Sequence, residues 1–167
     1  MVMVAGSWAK KVVATKIVAA DGSGDYTNIQ SAINALPAGG GVVYIREGTY
    51  NLGASSISIN KSNVALMGAG KATEIKATDN YVDMFTASSK SSLLLDSLYI
   101  NGNSKAEVDA IIFSSCSNSI IRNCWIENAI RAIDFTSSNN NHISGNVITN
   151  NNNENIFLSG CSYVVVF

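Results

Sequence analysis

The chain has 167 residues, of which 47% are hydrophobic, enough to fill one core and too few to favour two domains. Only 14% are charged and the net charge is −1, so no general electrostatic footprint for nucleic acid or an anionic membrane is present. Cys116, Cys124 and Cys161 are an odd number without CxxC spacing, which points to buried thiols rather than a zinc site or a disulfide framework, and no apolar run approaches the ~18 residues of a membrane span.

The opening MVMVAGSWAKK lacks the basic-then-apolar order of a signal peptide, so no export signal is expected within this chain. KVVATKIVAA reads as a strand. In DYTNIQSAINALPAGGG, Ile29, Ala32, Ile33 and Leu36 recur at helical spacing, Thr27 and Gln30 suit a capping box, and Pro37 with Gly39 to Gly41 stops the helix. Residues 27–36 are therefore expected to lie across the open end of the first layer of strands. VVYIREGTY, SISI and NVALMGAG come next as short β-rich runs, and no helical period returns. DGSGD and GAGK lack the full spacing of a nucleotide-binding loop and read as tight turns.

The second half repeats itself. IIRNCWIEN and HISGNVITN align Ile121 with Ile143 and Ile126 with Ile148, 22 residues apart. DAIIFSSCSNS, RAIDFTSSNNN and ENIFLSGCSY each place two alternating apolar residues before a small polar turn. A period this short holds two or three brief strands and leaves no room for a helical crossover, so stacked coils of a parallel solenoid fit it. Asparagines occupy the joints, where their amides can bond the next coil and tolerate left-handed backbone. The chain is thus expected to be a single all-β domain, 1–167, with a strand and capping helix over 1–41 and about five coils over 42–167. YVVVF ends without a polar cap. It is expected either to continue into a longer β-helix or to be covered by a second copy, as in a homo-oligomer.

IVAADGSGDYTNIQSAINALPAGGGVVYIREGTYNL and SNVALMGAGKATEI resemble the N-terminal entry of right-handed parallel β-helix proteins of the pectin-lyase-like superfamily, and are similar in particular to pectin methylesterases. Residues 93–160 resemble the coils of pectate-lyase and epimerase β-helices. The resemblance implies a right-handed parallel β-helix. It implies less about chemistry, because GNxA-like and DFIFG-like segments of the esterases are absent, and CWIEN has Glu127 but no histidine after it where lyases often carry a phrase like WIDH.

The residues nominate a site directly. Strand alternation turns Ile133 and Phe135 inward and Asp134 outward, and Asp109, Arg131 and Glu154 align at coil spacing. Arg131 then stands between carboxylates, a set that can bind a sugar acid, hold Ca2+ through oxygen ligands, or supply an acid and a base; it can equally be an ion-pair ladder on a wet edge. Asp134 and Arg131 are the candidate catalytic pair, with Asp109, Glu154 and Arg122 as substrate-binding residues. His142 reads as a surface residue, and Tyr81, Tyr99, Trp125 and Phe157 as aromatics with outward positions available to a sugar ring. The expected function is an extracellular or cell-surface β-helix that engages an acidic polysaccharide or oligosaccharide, akin to polyuronate lyases, epimerases and esterases. The alternatives are a surface or phage tail-fibre binding module and a bare folding fragment.

Overall fold

The computed structural model describes residues 16–167. The opening segment and the first residues of the expected first strand lie outside the described residues. The elements are, in chain order, β1 (Lys16–Val18), α1 (Ile29–Asn34), β2 (Gly41–Ile45), β3 (Gly48–Leu52), β4 (Ile57–Ser58), β5 (Val64–Ala77), β6 (Phe85–Ser88) and β7 (Leu94–Asn101). Then come β8 (Ile111–Ser114), β9 (Ile120–Arg122), β10 (Trp125–Glu127), β11 (Ile133–Thr136), β12 (His142–Ser144), β13 (Val147–Thr149), β14 (Ile156–Ser159) and β15 (Val165–Val166).

Every named pairing is parallel. The larger sheet runs β1-β2-β5-β7-β9-β12-β15, with β3, β10 and β13 joined beside that path, and the smaller runs β4-β6-β8-β11-β14. The chain is a parallel β-solenoid of about six turns. The repeat alone suggests about five; the additional turn arises because β1 pairs with β2 and joins the stack instead of preceding it.

Stacking is in register. Ile121 pairs with Ile143 and Ile126 with Ile148, while Ile133 lies between Ile111 and Ile156. These columns bury Ile111, Ile121, Ile126, Ile133 and Ile143 between the sheets, with Ile148 and Ile156 of the last coils partly buried, and Phe113 and Phe135 stack with centroids 5.6 Å apart and planes 9° from parallel. The corners are set by left-handed residues recurring at the same point of successive coils: Ser115 and Ser137, Asn118 and Asn140, Asn128 and Asn150, all with φ between 51° and 58°. Asparagine and serine tolerate that region better than branched residues do. The amides also tie coil to coil. Asn141 accepts from the Ser119 N–H and donates to the Cys116 carbonyl, and Asn146 does the same for Cys124 and Ile121. These two bridge to backbone, whereas Asn128 donates amide to amide to Asn101 of the coil before.

The helix packs on the first coil, shorter than the expected 27–36: Ile29, Ala32 and Ile33 are buried against β1, β2 and β4, and Leu36 is buried just past its C-cap. Its N-cap differs. Asn28, not Thr27, accepts from the Ser31 N–H, and Gln30 turns away to pair with both backbone groups of Ser58. At the other end the Lys61 ammonium, from the next coil, donates to the carbonyls of Ile33, Asn34 and Leu36 at 3.0, 2.8 and 2.6 Å. A six-residue helix has little stability of its own, so these contacts and its apolar face hold it. Gly40 is required at the exit: φ is 92°, and a Cβ there would lie 2.2 Å from the Asn63 carbonyl oxygen.

Candidate functional site

The smaller sheet carries the cluster that coil spacing nominates. Arg131 precedes β11, and its guanidinium bridges Asp109 at 2.7 Å and Asp134 at 2.5 Å. Its backbone N–H also donates to Asp109, and Thr136 donates to Asp134. The guanidinium carbon lies 5.2 Å from the centre of the Phe157 ring, one coil on. Beside it opens a depression of about 310 Å³ lined by Ala106, Glu107, Asp109, Ile130 and Arg131.

Asp109 and Asp134 are nearly covered, at 6% and 5% exposure. Alternation assigns Asp134 correctly to the outer side of its strand, but the exposed edge it suggests is corrected: the arginine lies over both carboxylates. Burial lowers the arginine's affinity for its proton, yet its bonds to Asp109 and the charges of Asp109, Asp134 and Glu154 more than restore it. Asp83, missing from the sequence-based set, belongs here, since its carboxylate accepts from the Asp109 N–H. Burial, and then the charges of Asp109 and Asp134, push its pKa up. Glu154 is exposed and acts on Arg131 only through its charge.

Arg122 is elsewhere. It sits on the larger sheet in register with Asp96 and pairs with it at 2.7 Å, so the shared groove with Arg131 does not form. Burial raises the Asp96 pKa, but hydrogen bonds from Arg122, Asn123 and Ser97 outweigh it and hold the carboxyl below its ordinary value. Among the described residues no group of three or more His, Cys, Asp and Glu converges as a metal-ligand set, and no helix is long and apolar enough to cross a membrane. His142 is exposed on β12, paired in register with Ile120.

The larger sheet holds a second polar array. β7 and β10 place Tyr99 beside Trp125 and Asn101 beside Glu127 on the outer face. Glu127 accepts from the Trp125 indole at 2.8 Å and the Tyr99 hydroxyl at 2.6 Å, and these bonds, with the charge of Lys71, lower its pKa against the effect of burial. Burial first, and then the bond to Glu127, keep Tyr99 protonated. Glu74, one coil earlier, accepts from Thr49 and Asn101. Above these rings lies the exposed Lys71, 3.4 Å from the Trp125 centroid and 5.3 Å from that of Tyr99. Its only sequence signal is the GAGK turn.

The chain is a parallel β-solenoid with carboxylate, arginine and aromatic groups on its outer walls. The family model described as Pectinesterase matches residues 15–126, and the chain belongs to that family. It is 36% identical over 78 residues to "Pectinesterase 1" of Solanum lycopersicum, a match spanning 44% of this chain and only 14% of that relative's length. Among solved structures, ORF18 of Geobacillus virus E2 aligns with a TM-score of 0.49 at 22% identity, over 81% of this chain and 38% of that one.

Proposed function

We propose that the protein binds a pectin-type polysaccharide outside the cell or at its surface, seating sugar hydroxyls on the Asp109, Arg131 and Asp134 cluster. One observation carries this reading: a guanidinium fixed between two carboxylates on the wall of an open depression, in a member of the pectinesterase family. Fixed planar donors and acceptors suit pairs of neighbouring hydroxyls. Asp83, Asp109, Asp134 and Glu154 outnumber Arg131, so this wall favours stretches whose uronate groups are esterified, or bare uronates bridged by Ca2+. Both central carboxylates are engaged by Arg131, so in this reading the cluster holds the chain and does not cleave it.

Calorimetric titration with a methyl-esterified oligogalacturonide is expected to give binding that Arg131→Lys, which keeps the charge but loses the fork, weakens at least about tenfold. Binding unchanged in that variant, or absent from the unmodified protein, overturns the reading. Companion assays for methanol release and unsaturated product, with and without Ca2+, are expected to stay at background. Turnover that disappears in Arg131→Lys would make the cluster catalytic instead.

A further inference from the structure

We propose that Lys71, Tyr99 and Trp125 on the larger sheet form a second saccharide site, one that recognises a free sugar carboxylate. Three observations carry it. Glu127 and Glu74 each already accept two side-chain hydrogen bonds, and Glu127 fixes the tyrosine and tryptophan by their polar ends. The Lys71 ammonium is different: it is exposed, it lies over the two rings, and no carboxylate of the described residues lies within 4.0 Å of it. Lys71 is also placed there by a specific irregularity. β5 loses register with β7 on both sides of Gly70, whose φ is 68°, and Lys71 from that offset stretch reaches past β7 to Trp125 on β10.

The two rings can take the apolar C–H face of a sugar once a ligand carboxylate draws the ammonium aside, and an ammonium held by π-faces and by the charge of Glu127, with no carboxylate of the described residues within 4.0 Å, retains the capacity for a strong bond to an anion. A uronic acid offers both features in one residue: a ring face and, at its edge, a carboxylate. Its methyl ester keeps the face and loses the charge. The site differs from the Arg131 wall in how its cation is held: the guanidinium is bonded directly to two carboxylates, whereas the Lys71 ammonium is bonded to none among the described residues and is open to a ligand's.

The test compares fully de-esterified and fully methyl-esterified oligogalacturonides of equal length, by calorimetry and tryptophan fluorescence, in the full chain. The unmodified protein is expected to bind the de-esterified form at least about tenfold more tightly, with a preference that shrinks as salt rises. Lys71→Met should remove that preference while leaving the esterified oligomer's affinity in place, and Trp125→Ala should weaken the de-esterified oligomer. Lys71→Gln serves if the methionine variant fails to fold. Equal affinity for the two oligomers, or a preference that survives both lysine variants, overturns the inference. So does equally tight binding of a sulfated neutral oligosaccharide, which would reduce the site to general anion attraction. None of these variants touches the Arg131 cluster, so either site can fail while the other stands.

Discussion

The early and late coils of this solenoid are built to different rules. Before residue 102, strands of neighbouring coils pair residues 23 to 29 apart, and the varying length goes into the β5 offset and exposed links such as Gly53 to Ser55. After it they pair residues 22 or 23 apart, with corners held by left-handed residues and bridging amides. The long coils have room to carry Lys71 outward; the short ones have only what the repeat needs. Irregularity in a solenoid is thus where surface chemistry is placed, and regularity is where stability resides.

The largest effect that would test this contrast is Phe113→Ala in the short coils. It removes a stacked, fully buried ring and is expected to cost about 3 to 5 kcal/mol in chemical denaturation. A loss below about 1 kcal/mol would mean that the columns are not what holds these coils together. Next come the two arginine pairings. Arg131→Ala strands two nearly buried carboxylates and should cost about 2 to 4 kcal/mol, against about 1 to 2 for Arg122→Ala, where one acid is stranded beside an arginine 44% exposed. Equal losses would deny that Arg131 is the more committed of the two.

Insertions probe the two kinds of coil separately. Two glycines after Ala54 lengthen an exposed link and are expected to cost under about 1 kcal/mol. The same insertion after Asn139 displaces the Asn140 corner and the buried Asn141 amide, with an expected loss of about 2 to 3 kcal/mol. Acid unfolding tests the Arg122 pair. Asp96 has a lowered pKa, so its contribution is present above the ordinary carboxylate range and is lost as pH falls through its folded value. Asp96→Asn should therefore flatten the acid limb of the stability profile; an unchanged limb would assign it to other groups. The smallest effect is a gain: Tyr163 is 82% exposed and left-handed at φ 56°, in the position Asn118 and Asn140 occupy, so Tyr163→Asn should add about 1 kcal/mol.

Legibility in the sequence divides along the same line. The Ile121 and Ile143 alignment, the inward columns and the Asn corners can all be read from a 22-residue period, because each short coil repeats one pattern. Asp109 and Arg131 meet for that reason. The period conceals Arg122, since its partner Asp96 lies 26 residues back, at the spacing of a longer coil. Alternation shows which side of a strand Asp134 takes but not what covers it, and the covering arginine arrives from the corner before the strand. Lys71 has no period at all, being placed by an offset. The N-cap shift from Thr27 to Asn28 is local: both residues can cap, and Tyr26 is already bridged to Val18.

The left-handed corners have one more consequence. Since the bends are fixed by a few asparagine, serine and glycine positions and the interior by the apolar columns, the outward residues of each strand are under little obligation to the fold. Such a surface can be rewritten one column at a time, with shape inherited and contacts chosen separately. That independence lets a single scaffold present a guanidinium between acids on one wall and an ammonium over aromatic rings on another without either disturbing the other.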